Sequence, residues 1–245
     1  MIKIDQLSKA FGNTLAVNNL TLNIEKGELF SFLGPNGAGK TTTIKMMVGL
    51  MTPSSGTVSM GNFDMKSEAQ AAKAIIGYVP DTAFLYQHLT GSELMTMVGQ
   101  LYSMDRKTIL REQDKLSERL YMGEWLGNRI SGYSQGMKQR LAFASAFLHH
   151  PEILVVDEPM VGLDPKTARI VKDMLKERSH AGVTIFISTH NLNVAEELSD
   201  RIAIINKGKL LGVGTVDSFQ SVSGEQENLE DRFLRIVEEE EANGG

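Results

Sequence analysis

The segment LFSFLGPNGAGKTT, residues 29–42, indicates the fold class of this chain. Its first five residues are typical of a buried β-strand, and the residues after them match the pattern G-x-x-x-x-G-K-[ST] ahead of helix-forming sequence. Glycines in such a loop let successive backbone N–H groups point inward, and the positive end of the following helix adds to them. The segment therefore predicts a phosphate-binding loop between a strand and a helix, rather than a glycine-rich turn without a ligand.

Side chains of this loop have predicted roles at the phosphates. Lys40 can reach the β- and γ-phosphates of a nucleotide, and the Thr41 hydroxyl can ligate Mg²⁺. Neighbouring backbone and side-chain groups complete the cradle. The residues that we expect to contact the nucleotide are Asn36, Gly37, Ala38, Gly39, Lys40, Thr41 and Thr42.

A second motif, LVVDEP at residues 154–159, places two adjacent carboxylates at the end of an apolar run. In a parallel α/β sheet, ligands bind beyond the carboxyl ends of the strands, so we expect this pair to face the phosphate-binding loop. Asp157 fits the acid on the magnesium side. Glu158 points elsewhere because strand side chains alternate, and it fits a general base for an attacking water. The alternative is that the pair caps a turn or a helix.

The whole chain reads as an α/β protein with a mostly parallel sheet, because short strand-like runs alternate with helical patterns. The N-terminal residues MIKIDQLSKAF alternate like a strand and predict an antiparallel β edge. Residues 88–150 show only helical patterns, including a capping box from Thr90 to Glu93, and predict an inserted helical subdomain. The expected strands are 29–33, 75–79, 153–157, 183–188 and 202–206. The expected division is a nucleotide-binding domain over 1–217, with its core at 1–87 and 151–217 and the helical subdomain at 88–150, followed by a C-terminal helix and acidic tail over 218–245.

Composition excludes several classes of protein. The chain has 245 residues, a 42% hydrophobic fraction typical of globular proteins, and no cysteine, which excludes disulfides and thiolate metal sites. Its net charge of -5 disfavours nucleic acid as a partner. No apolar run approaches the roughly 18 residues that a membrane span needs, and the N-terminus lacks the apolar stretch of a signal peptide. We therefore expect a soluble, cytoplasmic protein.

Further motifs, in a fixed order, carry a family resemblance. YSQGM at 133–137 precedes LVVDEP, and GLDP at 162–165 and the strand ISTH ending at His190 follow it. This set resembles the ATP-binding cassette (ABC) ATPases, the nucleotide-hydrolysing motors of ABC transporters. The resemblance extends from LSKAFG at residues 7–12 to KGKLLGVG at 207–214. It implies a P-loop NTPase core with a helical subdomain.

The resemblance also implies roles for five more residues. Phe11 matches the aromatic residue that stacks on adenine. Ser134 and Gly136 match the family signature, commonly LSGGQ, which the family places against ATP held by the phosphate loop of a second subunit. Asp164 lies in the loop that lines the same interface, and His190 matches the γ-phosphate contact. Residue by residue, the alternatives are core packing for Phe11 and helix caps for Ser134 and Asp164.

One position departs from the family pattern. After the strand IGYVP at residues 76–80, where the family has a glutamine near the metal or the attacking water, this chain has Asp81. Aspartate is one methylene shorter than glutamine and carries a charge, so both geometry and electrostatics change. We expect Asp81 to lie near the metal; the alternative is that it only caps the turn after Pro80.

The resemblance implies Mg²⁺-dependent ATP hydrolysis that drives transport, with export favoured over import. The implied partners are a second ABC ATPase subunit, identical or different, and a separate integral-membrane subunit, with no nucleic acid. Such a protein sits in the cytoplasm, peripheral to the inner face of the cell membrane. The apolar run Phe84, Leu85, Tyr86 is expected to dock the membrane subunit or else to pack locally. Alternative functions are a soluble ABC ATPase in ribosome or cofactor-assembly work, or a non-hydrolysing, nucleotide-gated interaction module.

Overall fold

A computed structural model describes residues 1–220 and 229–243. The last twenty-odd residues, which open with SVSGEQEN and look linker-like in the sequence, lie partly outside the described residues, because 221–228 and 244–245 are not described. The strands, in chain order, are β1 (Ile2–Phe11), β2 (Thr14–Ile24), β3 (Leu29–Leu33), β4 (Ser55–Met60), β5 (Phe63–Asp64), β6 (Ile76–Val79), β7 (Ile153–Asp157), β8 (Thr184–Thr189), β9 (Arg201–Asn206) and β10 (Lys209–Gly214). The helices are α1 (Lys40–Met47), α2 (Ala69–Ala74), α3 (Gly91–Leu101), α4 (Arg106–Arg119), α5 (Gln135–Phe147), α6 (Pro165–His180), α7 (Leu192–Leu198), α8 (Val216–Gln220) and α9 (Leu229–Asn243), with a 3₁₀ turn at Ile130–Gly132.

The main sheet is mostly parallel, as the sequence predicts, and has the strand order β10-β9-β3-β8-β7-β6. All its neighbouring strands are parallel except the β9–β10 hairpin at one edge. Each of the five expected strands is present, with no end displaced by more than one residue. Strands β3 and β7 both flank β8, so the two motif-bearing strands end at the same edge of the sheet.

A second, antiparallel sheet of order β2-β1-β4-β5 confirms the expected antiparallel part at the N-terminal side. Its apolar side chains share one buried cluster with those of β3 and helix α1. Phe30 and Phe32 of β3 each contact the ring of Phe186 on β8. This packing fixes β3 within the main sheet and against the antiparallel sheet, and with β3 the loop that follows it.

Helices α3, α4 and α5 occupy residues 88–150, a range that is described throughout and contains no named strand. The predicted capping box is confirmed, because Glu93 N–H donates to Thr90 Oγ1 at 3.1 Å and Thr90 N–H donates to Glu93 Oε2 at 2.8 Å. Apolar residues of these helices and of β6, β7 and β8 form one continuous buried cluster. The division into a core and a subdomain therefore stays a proposal. In the described part of the chain, no helix combines the length and hydropathy needed to cross a bilayer.

Candidate active site

The loop between β3 and α1 has the backbone geometry of a cradle. Gly37 and Gly39 have φ values of 80° and 107°, which L side chains rarely adopt. A Cβ at Gly39 would lie 2.5 Å from the Ala16 carbonyl oxygen, so position 39 needs a glycine. The Lys40 ammonium donates to the carbonyl oxygens of Gly34 at 2.8 Å and Pro35 at 3.1 Å. The lysine is thus folded over its own loop.

A cavity of about 220 Å³ opens at this loop. It brings together most of the residues that sequence reasoning assigns to nucleotide binding, while Ala38 is buried beneath the loop. Two acids from other strand ends reach the same cavity, Asp81 after β6 and Glu158 after β7. The lining residues are Ala16, Asn36, Gly37, Gly39, Lys40, Thr41, Thr42, Asp81 and Glu158.

Glu158 lies at the centre of a charged contact. Its Oε1 is 2.9 Å from His190 Nδ1 and 3.5 Å from Lys40 Nζ. The Glu158 backbone has a φ of 51°, in the left-handed region that non-glycine residues seldom occupy. Two hydrogen bonds hold it there, since its N–H donates to the Ser188 carbonyl oxygen at 3.1 Å and to Ser188 Oγ at 3.2 Å. The carboxylate is therefore fixed at the cavity wall, where it can accept a proton from water.

Asp157 is fully buried. Its Oδ1 accepts a short hydrogen bond from the Ser188 hydroxyl, and its Oδ2 has no hydrogen-bond partner of normal geometry among the described residues. Burial raises the pKa of the Asp157 carboxyl, the Ser188 and Thr41 hydroxyls oppose that rise, and the negative charges of Asp81 and Glu158 add to it. A buried carboxylate oxygen without a partner, next to a threonine hydroxyl, is a suitable ligand for a hard cation.

The donor set fits Mg²⁺ held jointly with a nucleotide. Among the described residues, no group of three or more acidic, histidine or cysteine side chains is arranged to hold a metal alone. Mg²⁺ in phosphoryl-transfer sites takes one or two protein oxygens and completes its shell with substrate phosphates and water. Thr41 and Asp157 supply such oxygens.

Asp81 lies beside the cavity and also stabilises the turn after Pro80. Its carboxylate lines the cavity, and its Oδ1 accepts a hydrogen bond from the Thr82 N–H at 2.7 Å. The turn contact and the cavity position use the same exposed side chain. The Asp81 side chain is therefore present at the candidate site and in the turn contact at the same time.

The signature residues lie elsewhere and do not line this cavity. Ser134 is the N-cap of α5 and accepts from the Met137 N–H at 3.3 Å, while Asp164 caps α6 by accepting from the Thr167 N–H at 3.0 Å. Both caps are solvent-exposed. A Cβ at Gly136 would lie 3.0 Å from the Gly162 carbonyl oxygen, so the start of α5 and the loop before α6 are adjacent. They form a second exposed group of site residues, separate from the phosphate-binding loop.

Phe11, the expected adenine contact, is 49% exposed at the end of β1 and does not line the cavity either. The Lys9 ammonium lies 5.3 Å from its ring centroid. Such exposure does not fit the alternative of core packing. Stacking on adenine stays a prediction.

Sequence reasoning missed two residues of the site, Ala16 and Ser188. Ala16 comes from β2, far away in the chain, and no motif marks it. Ser188 leaves a weak signal, because it is a polar residue in the otherwise apolar run IFIS of a buried strand. Only the pairing of Asp157 with Ser188 across β7 and β8 shows what its hydroxyl contacts.

Comparison with known proteins matches residues 17–161 to the family model described as ABC transporter. The chain is 34% identical over 215 residues to the linearmycin resistance ATP-binding protein LnrL of Bacillus subtilis (strain 168), a match that covers 88% of this chain and 69% of LnrL. A solved structure of an ATP-binding subunit of an ABC transporter superposes with a TM-score of 0.91 at 28% identity, over 97% of this chain and 99% of that one. A dimeric post-hydrolysis structure of the cassette MJ0796 with ADP and Pi gives a TM-score of 0.80 at 26% identity, over 88% and 98% of the two chains.

Proposed function

Because this chain belongs to the ABC transporter family, as one of its ATP-binding ATPase subunits, we propose that it hydrolyses MgATP to drive export through a separate integral-membrane subunit. Similarity to a resistance protein, LnrL, supports export over import. In this role the protein works in the cytoplasm, bound to the inner face of the membrane. Small toxic molecules, such as antibiotics, are the substrate class that this similarity suggests.

The observation that carries the catalytic part of the proposal is the contact of one Glu158 oxygen with both His190 and Lys40. Nucleotide phosphates entering the loop compete for the Lys40 ammonium and release Glu158 from that ion pair. The freed carboxylate accepts a proton from the attacking water, and His190 holds the carboxylate in position and lies close enough to the cavity to contact the γ-phosphate. Lys40, Glu158 and His190 are thus already in mutual contact in the nucleotide-free chain.

Mg²⁺, when bound with ATP, neutralises charge on the β- and γ-phosphates and orients them. Thr41 and Asp157 would hold it, and Asp81 approaches the same space from the end of β6. The unpartnered Oδ2 of Asp157 supports this assignment. The loop residues around Lys40 bind the phosphates through backbone N–H groups and the N-terminus of α1.

The exposed group formed by Ser134, Gly136 and Asp164 supports a composite site. A helix N-terminus with a small residue in its first turn can approach a phosphate closely, but in this chain it does not face its own cavity. We therefore assign it to ATP bound by a second cassette, as the dimeric arrangement of MJ0796 suggests. The second cassette is another copy of this chain or a related subunit.

Exposed aromatics support a docking place for the membrane subunit. Phe84 is 92% and Tyr86 66% exposed, whereas Leu85 packs against the core. Phe84 and Leu85 line a cavity of about 480 Å³ between the loop after β6 and the start of α5, and Tyr86 lies next to them in the chain. Exposed aromatic surface beside a cavity is typical of a protein interface.

The test of the proposed function is Glu158→Gln in the full chain. We expect MgATP binding to persist while phosphate release slows by about 10²- to 10⁴-fold, the usual effect of removing a general base. Glu177→Gln serves as a matched control, because Glu177 is an exposed acid that pairs with Arg119 at 2.6 Å, away from the cavity. Loss of MgATP binding with unchanged turnover per bound ATP would contradict the role of Glu158.

A further inference from the structure

Ser188 has no role assigned from the sequence, although it lies in the ISTH stretch, and its hydroxyl contacts both adjacent acids of the site. It is fully buried in β8, and it pairs with Asp157 of the parallel neighbour β7. Paired residues of neighbouring strands project to the same face of a sheet, which brings the Ser188 hydroxyl to the Asp157 carboxylate.

The Ser188 hydroxyl donates one hydrogen bond and accepts another. Asp157 Oδ1 carries no proton when the carboxyl is ionised, so Ser188 must donate to it. The Glu158 N–H then donates to a lone pair of the same Ser188 Oγ, at 3.2 Å. A single serine therefore links the expected metal ligand to the expected general base.

We propose that Ser188 is a positioning residue that sets the geometry of Asp157 and Glu158 together, and so couples metal binding to proton abstraction. The proposal rests on the proposed function. Without the hydroxyl, the fully buried Asp157 carboxylate loses the hydrogen bond that its Oδ1 accepts from Ser188. At the same time Glu158 loses one of the two acceptors that hold its backbone at a φ of 51°.

The neighbouring strand provides a matched control. Ser31 of β3 is also fully buried, and its hydroxyl makes a short hydrogen bond to the Ser199 hydroxyl. It pairs with Ile187, one residue from Ser188, so Ser31→Ala removes the same group from the same sheet. The Ser31 hydroxyl contacts Ser199 rather than either acid. If loss of any buried serine hydroxyl impairs metal binding and turnover, Ser31→Ala and Ser188→Ala should impair them equally.

The experiment compares Ser188→Ala, Ser188→Cys and Ser31→Ala with the wild-type chain. Cysteine keeps the shape of serine but is a weak donor, so it tests the hydrogen bond even where alanine fails to fold. With ATP present, Mn²⁺ binding followed by electron paramagnetic resonance should weaken by about 10- to 100-fold in Ser188→Ala, as is usual when a partner of a metal ligand is lost. Ser188→Cys should fall between alanine and wild type. Metal-free ATP binding should not change.

Phosphate release gives the second measurement. In Ser188→Ala kcat should fall while the KM for ATP stays close to the wild-type value, because the phosphate-binding loop is intact. A metal requirement and a kcat equal to those of Ser31→Ala, or a cysteine variant equal to wild type, would overturn the proposal. If the wild-type chain binds Mn²⁺ with ATP but releases no phosphate, the proposed function fails while the Mn²⁺ titration still decides the role of Ser188. Absence of Mn²⁺-dependent nucleotide binding in the wild type would overturn both.

Discussion

At the scale of single residues, the site combines two features that are costly elsewhere in a protein. Asp157 is a buried carboxylate with one oxygen unpartnered, and Glu158 has a left-handed backbone that costs about 1–3 kcal/mol. Both persist because neighbouring groups hold them, above all Ser188 and the ion pair with Lys40. Such strain is expected where chemistry requires a fixed geometry.

Asp81→Asn tests the acid that replaces the family's glutamine. An amide oxygen ligates a hard cation more weakly than a carboxylate, so we expect the Mg²⁺ concentration for half-maximal hydrolysis to rise several-fold. Asparagine Oδ1 can still accept from the Thr82 N–H, so the turn should persist. ATP binding measured without metal should change little.

Asp81→Gln, which restores the family residue, is the comparison variant for the same titration. If both variants show the wild-type Mg²⁺ dependence and turnover, Asp81 only stabilises its turn and is not a site residue.

At the scale of elements, helix α5 connects distant parts of the molecule. Its N-terminus carries Ser134, and just beyond its other end His149 stacks on Tyr102 with ring centroids 3.5 Å apart. His149 Nε2 is 3.1 Å from the Ile76 carbonyl oxygen at the start of β6, and its Nδ1 is buried without a partner among the described residues. Through His149, the helical segment therefore contacts strand β6, which leads to Asp81.

The His149 contact predicts a pH dependence of stability. Burial lowers the pKa of His149 from 6.5 to about 4, so the folded chain holds the neutral ring, whereas the unfolded chain binds a proton below pH 6.5. The stabilising contribution is complete above pH 6.5 and is lost as the pH falls towards 4. We expect thermal unfolding at pH 5 to show a loss on the order of 2 kcal/mol relative to pH 7.5.

His149→Gln should reduce this loss, because glutamine does not titrate and its amide can donate to the Ile76 carbonyl oxygen. His180→Gln, at the exposed end of α6, is the control and should keep the wild-type dependence. An equal pH dependence in wild type and His149→Gln would contradict the assignment.

The loop between β6 and α3 predicts a specific effect on assembly. Tyr86→Ala should weaken co-purification with the membrane subunit while leaving basal ATP hydrolysis and melting temperature near wild type, because the side chain is mostly exposed. Leu50→Ala removes a comparably exposed apolar side chain, 63% accessible, in the segment after α1. Equal weakening by both variants, or a drop in melting temperature for Tyr86→Ala alone, would favour local packing over docking.

At the scale of the whole molecule, the sequence predicts those strands and contacts that lie within or next to a recognisable local motif. The five parallel strands, and the meeting of Lys40, Thr41 and Glu158 at one cavity, follow from buried runs ending in recognisable loops. The contact of Ser188 with Asp157 does not, because it depends on strand register between segments some thirty residues apart. The partners of Ser134 and Asp164 cannot be read from one chain at all, since their helix caps already satisfy their local hydrogen bonds.

The composite site predicts a nucleotide-dependent dimer. In Glu158→Gln, trapped ATP should hold two cassettes together, so light scattering with MgATP should move from monomer towards dimer. Adding Ser134→Arg to this variant should prevent the shift, because an exposed cap that faces a partner's phosphates has no room for a long side chain. A Glu158→Gln chain that remains monomeric at high concentration with ATP would exclude closure between two identical copies.

The resting position of Lys40 has a kinetic consequence. The ammonium is already compensated by two carbonyl oxygens and by Glu158, so an approaching nucleotide does not meet an isolated positive charge. The charged side chains that line the cavity are Lys40, Asp81 and Glu158, so the lining is net negative and we expect added salt to assist the approach of the anionic nucleotide rather than oppose it. Nucleotide binding then requires Lys40 to exchange its carbonyl and carboxylate partners for phosphate oxygens, and we expect this exchange within the loop to limit the rate of binding.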